Sequence, residues 1–153
     1  MQEVNIYIDV KHTGRLKTGT GTYSIVLEYI KDGSPRTREL FEGLNHTTKN
    51  RTALTACVVA LEHMIKTCNV QLFINSHYVE QTFNQGWFAN WDLNTWTSKG
   101  KPIKNADLWQ QLLELTYKYS VEYLFSETNQ YSAYMATMIK RVEIEYQEDK
   151  QNV

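Results

Sequence analysis

Residues 4–10, VNIYIDV, place Val4, Ile6, Ile8 and Val10 on one face of an extended chain and Asn5, Tyr7 and Asp9 on the other. That period belongs to a strand, and Asp9 falls near its end. Gly19 and Gly21 then supply turn glycines in TGTGTY ahead of a second alternating run, YSIVLEYI, and DGS at residues 32–34 marks a tight turn into RTRELFEG. Three consecutive antiparallel strands are the simplest reading.

From Asn50 the period changes. Leu54, Cys57, Leu61, Ile65 and Cys68 follow helical spacing, with Thr47, Thr48 and Asn50 available as N-caps. VQLFIN (residues 70–75) reads as a short strand reached through this helix, as a parallel crossover requires, and HYVEQTF begins a short helix behind it. Leu108, Leu112, Leu115 and Tyr119 mark another helix with Asn105 as its cap, SVEYLF a fifth strand, and residues 130–147 a last helix striped by Tyr131, Met135, Met138 and Val142. The expected architecture is an α/β mixed five-stranded sheet, three antiparallel strands then two parallel ones, with helices on both faces. Ligands of such sheets favour the crevice at the carboxyl ends of the strands. Asp9 and Asn75 both end strands, so they are expected to be neighbours there.

The length of 153 residues suits one domain, expected over 1–147 with 148–153 as a frayed tail. A formal net charge of −1 lacks the basic excess of a strongly nucleic-acid-binding surface, so any such binding must use a local patch. Cys57 and Cys68 read as parts of one helix, roughly 16 Å apart, and cannot pair; a reduced, cytoplasmic setting fits. No export signal or bilayer-length apolar run is read, so no membrane partner is expected.

IYIDV with TGTGTYSIVLEY, TTKNRTALTACVVALEHM, INSHYV and QGWFANWDLNTWTSKGKPIKNADLWQQL together resemble the type 1 ribonucleases H, which cleave the RNA strand of RNA/DNA hybrids. The last of these stretches is similar to the family's tryptophan-rich basic handle, here about residues 86–104. The resemblance implies a ribonuclease H-like fold. It also implies four carboxylates holding two Mg²⁺ ions, a pair about 4 Å apart that clamps the attacking water and the leaving oxygen. Of the four matching positions, Asp9 keeps its acid. The others fall on Ala53, Asn75 and, by register, Thr137, and the family's histidine loop is absent from FSETNQYSAY.

Those residues offer a methyl, a neutral amide and a neutral hydroxyl. Each lost charge beside a divalent cation costs on the order of a few kcal/mol, and about 1.4 kcal/mol is tenfold in affinity. The resemblance therefore implies a degenerate active site, a pseudoenzyme with no cofactor expected; Mg²⁺ or Mn²⁺ enters only if residual activity survives. Among possible substitute acids, Glu62 and Glu80 read as solvent-face helix residues, and Glu127 falls in the loop before the last helix.

Nucleic-acid contact is expected, if weak, at Thr48, Asn50, His77, Lys99, Lys101 and Lys104. Thr48 and Asn50 are equally natural helix caps, and Asn75 an equally natural cap for the helix beginning at His77. Trp87, Trp91 and Trp96 read mostly as the handle's own small core, and Asp92 dilutes its basic patch. Three functions follow as expectations: an inactive module that binds RNA/DNA hybrid or duplex nucleic acid, a protein-interaction or structural domain, and a metal-dependent endoribonuclease with relocated ligands such as Asp9 with Glu127.

Overall fold

The alternating run at the N-terminus becomes the middle strand of a five-stranded sheet. The computed structural model describes residues 2–14, 19–66, 68–87, 91 and 96–151, the last six as helix backbone. In chain order the elements are β1 (Gln2–Thr13), β2 (Gly19–Lys31), β3 (Ser34–Thr47), α1 (Lys49–Glu62), β4 (Cys68–Ile74), α2 (His77–Asn84), β5 (Thr97–Ser98), β6 (Lys101–Pro102), α3 (Ala106–Lys118), β7 (Ser120–Phe125) and α4 (Ser132–Gln151). The sheet order is β3-β2-β1-β4-β7. β1–β3 form an antiparallel meander, and β4 and β7 extend it in parallel, each reached through helices.

Strand alternation sorts the core into two layers. Val4, Ile6, Ile8 and Val10 are buried with Leu54 and Leu61 of α1 and with Trp109 and Leu112 of α3. On the other face Tyr7 and Val26 are buried with Met135 of α4, and Tyr7 stacks on Phe73 with ring centroids 5.1 Å apart. Helices therefore cover both faces of the sheet.

Several local expectations are corrected. α1 stops at Glu62, and Cys68 opens β4, so the two cysteines lie on different elements; both are buried and free. The α4 stripe is Met135, Ile139 and Val142, with Met138 only half-buried, and the helix runs to Gln151, past the expected end at 147. Asn105 is in the left-handed region at φ 60° and makes no cap hydrogen bond. Its Oδ1 accepts instead from Arg51 Nη1 at 3.2 Å. The handle contains an unforeseen two-stranded hairpin, β5–β6, which turns through Lys99 (φ 52°) and Gly100 (φ 77°). Positive φ at both central residues is what a tight hairpin turn demands. Asp92 lies outside the described residues. No described helix is long and apolar enough to cross a membrane.

Candidate functional site

The parallel pairing of β1 with β4 ends at Ile8 opposite Ile74, so Asp9 and Asn75 are the next residues on each chain. Alternation sends both to the α4 face of the sheet. Across the antiparallel pairing Asp9 lies opposite Ser24 of β2. The crevice is thus built from three strands, and the sequence expectation that Asp9 and Asn75 are neighbours holds.

Asn75 is not free. The Val10 backbone N–H donates to its Oδ1 at 2.9 Å, and its Nδ2 donates to the Val10 carbonyl at 3.2 Å. Only an amide offers an acceptor and a donor side by side; a carboxylate at this position could make the first bond and not the second. Asn75 also does not cap α2: Ser76 does, accepting from the Val79 N–H.

Asp9 is half-buried, and its Oδ1 is a buried atom without a hydrogen-bond partner, as is Ser24 Oγ across the ladder. Burial disfavours the charged form and pushes the Asp9 carboxyl up to about 6. Among the described residues Asp9 makes no ion pair. Ala53 is wholly buried in α1. Thr137 lies in the second turn of α4, exposed, with Oγ1 donating to the Ala133 carbonyl at 3.0 Å. The first turn of α4 carries no acidic residue. Glu127 is exposed in the loop between β7 and α4.

These donors do not fit a pair of Mg²⁺ ions. Such a pair needs concentrated negative charge from converging carboxylates, whereas among the described residues no group of three or more His, Cys, Asp or Glu side chains converges.

The start of α1 is the other organised part of the site. Thr48 caps the helix, accepting from the Arg51 N–H at 3.1 Å, and Thr52 Oγ1 donates to the Thr48 carbonyl at 2.7 Å. Gly21 of β2 packs against this turn so closely that a Cβ on it would lie 1.9 Å from Thr52 Oγ1. Arg51 forks onto Asp107 at 2.7 and 3.1 Å, which holds the Asp107 carboxyl below its ordinary range. With its bond to Asn105, this guanidinium fixes the start of α1 to the start of α3, next to Lys104. Sequence reasoning passed over Arg51; a basic residue three after a cap and a D-x-W helix start elsewhere carry no local signal that they meet. Asn50 is exposed in the first turn of α1, where unpaired N–H groups and the helix dipole favour anions.

His77, the first residue of α2, stacks on Phe125 at the end of β7 with ring centroids 3.6 Å apart and an 11° interplanar angle. It stands at the crevice rim, beside the Asn75–Ser76 turn. Lys99, Lys101 and Lys104 are exposed, and none makes an ion pair among the described residues. Trp91 and Trp96 pack against the main core, Trp91 edge-on to Trp109 at 5.7 Å, while Trp87 is exposed. Trp91 and Trp96 thus dock the handle on the domain's main core.

The model of the family described as RNase H matches residues 1–127. This chain belongs to the RNase H family. The Ribonuclease H of Moorella thermoacetica is 38% identical over 125 residues, covering 81% of this chain and 78% of its own. In structure, the chain is similar to the N-terminal RNase H domain of a Mycobacterium tuberculosis protein, with a TM-score of 0.73 at 14% identity over 98% of this chain and 99% of that one. It is also similar to the foamy viral protease-reverse transcriptase in complex with RNA/DNA hybrid, with a TM-score of 0.71 at 14% identity; the likeness covers 90% of this chain and 19% of that one. These structural likenesses concern the fold. The family assignment rests on the sequence matches.

Proposed function

We propose that this RNase H family member binds RNA/DNA hybrid or duplex nucleic acid without cleaving it. The observation that carries this reading is the Asn75 amide, whose oxygen and nitrogen are both engaged with the Val10 backbone. Where the family resemblance implies a metal-binding acid, this chain has a strand fastener. Asp9 is then the single carboxylate of the frame, and its raised proton affinity is what a lone buried acid without a cation shows. The binding surface comprises Thr48 and Asn50 at the α1 start, His77 at the rim, and Lys99, Lys101 and Lys104 on the handle. A family relative named Ribonuclease H and the hybrid-bound foamy viral neighbour support nucleic acid as the ligand class. Two free buried thiols suit a reducing, cytoplasmic compartment.

The test is a labelled RNA/DNA hybrid incubated with the protein at low salt, with Mg²⁺ or with Mn²⁺, followed by filter binding and by gel analysis of the strands. Retention of intact hybrid is the expected outcome. Cleavage that disappears in Asp9→Ala would overturn the inactive reading in favour of relocated ligands, and absence of binding at low salt would overturn the nucleic-acid reading.

A second reading, a protein-interaction domain, is favoured by the apolar side chains Ile65 and Tyr117, exposed at 90% and 73%. A stoichiometric protein partner without nucleic acid, purified from the native host, selects it.

A further inference from the structure

At the pole of the sheet opposite the crevice, on the α1 face, lies a cavity of about 420 Å³. Val4 and Asp9 are five residues apart on β1, so about 17 Å separates the two places. The floor is Val4 with Leu27 and Tyr29 of β2, and Met64 forms a wall just beyond α1, with the exposed Ile65 at the mouth. Its volume lies within the range of small-molecule sites, which combine an apolar body with a few polar groups.

The charged groups here are of one sign: Lys31, Arg38 and Lys66 line the cavity with the neutral polar residues Gln2, Thr37 and His63, and among the described residues no acidic one does. Alternation explains the absence of acids. Glu28, between Leu27 and Tyr29, faces α4 and accepts from the Tyr131 hydroxyl, and Glu3 is turned away beside Val4 to accept from Asn69 Nδ2 at 3.2 Å. Lys31, Arg38 and Lys66 make no ion pair among the described residues.

The wall is held in place. His63 N–H donates to the Ala60 carbonyl at 3.2 Å, Met64 N–H to Leu61 at 3.1 Å, and the Tyr119 hydroxyl donates to the Met64 carbonyl at 3.1 Å. His63 Nδ1 lies 2.7 Å from the Val59 carbonyl, which makes Nδ1 the protonated nitrogen and leaves Nε2 without a partner among the described residues.

We propose that this cavity binds a small amphipathic carboxylate, with an aliphatic or aromatic body on the Val4, Leu27 and Tyr29 floor and the carboxylate against Arg38 and Lys66. A guanidinium fork suits a carboxylate's two oxygens, and an unpaired cluster of cations beside an apolar floor favours an anion over a neutral ligand. The site stands apart from the nucleic-acid reading and does not depend on it.

The probe is 4-phenylbutyrate, titrated calorimetrically into the full chain, with the uncharged 4-phenylbutanamide as control and amide-resonance perturbations to locate binding. Saturable binding of the acid is expected, at least tenfold tighter than of the amide, with perturbations at residues 27–31 and 63–68. Arg38→Gln with Lys66→Gln weakens it at least tenfold at unchanged melting temperature, and Met64→Trp, which fills the cavity, blocks it. No saturable binding, equal affinity for the amide, or perturbations confined to residues 99–104 would each overturn the proposal.

Discussion

Asn75 fastens the end of β4 to β1 at Val10 by exchanging hydrogen bonds with the Val10 backbone, one at 2.9 Å and one at 3.2 Å. The pairing of β1 with β4 ends at Ile8 and Ile74, and the amide side chain continues it where the backbones part. An acid restored at this position would therefore remove a structural bond before it supplied a charge. Asn75→Asp is expected to lose about 2 kcal/mol of stability at neutral pH, because a carboxylate oxygen replaces the donor facing the Val10 carbonyl. Denaturant melts of the two proteins measure this directly. An unchanged midpoint would mean that the fastener contributes nothing.

Asp9 gives the chain a pH signature. The folded state holds the Asp9 proton up to about 6, while the unfolded chain releases it near 3.8. Between those values the folded state binds more protons, so stability falls as pH rises through the window, and the full penalty applies above it. Asp9→Asn is expected to stabilise the protein at neutral pH by about 1 kcal/mol, a figure reduced for the carboxyl's partial exposure. The gain should vanish below the ordinary value of 3.8. Thermal melts of both proteins across that range check the sign; a gain that persists in acid would show that charge burial is not its source.

Gly21→Ala is expected to cost about 3 kcal/mol by overpacking. The added methyl would sit 1.9 Å from Thr52 Oγ1 and 2.9 Å from Thr47 Cγ2, at the contact between β2 and the cap of α1. Combining it with Thr52→Ala should recover part of the loss, a coupling that a double-mutant cycle reads.

Neutralising Lys99, Lys101 and Lys104 together is expected to weaken hybrid binding at low salt and to flatten the dependence of log K on log salt by about 2 to 3. Equal slopes for the parent and the triple variant would remove the handle from the interface.

What could be read in advance followed from periodicity. The alternation in residues 4–10 announced a strand, the change of period at Asn50 announced the crossover, and the strand order that follows placed Asp9 beside Asn75. Capping was less legible, because Thr47, Thr48 and Asn50, or Asn75 and Ser76, offer the same chemistry one or two residues apart. Only the fold decides which oxygen meets the free N–H groups. The bonds of Asn75 to Val10 and of Arg51 to Asn105 and Asp107 join residues 65, 54 and 56 positions apart, and no local pattern encodes them. The Lys-Gly turn of the handle hairpin was a local signal, but its two-residue strands are too short to show alternation.

The two buried thiols make the fold self-reporting. Cys57 is enclosed beneath α1 and Cys68 at the head of β4, and burial pushes both thiols up. The thiolate is the reactive form, so alkylation is slowed at both while the core is closed, and more at Cys57 than at Cys68, which borders the cavity under α1. One sits in the crossover helix and the other in the strand it delivers. The order in which they become reactive times the separation of helix from sheet, a clock built into the core that needs no added label.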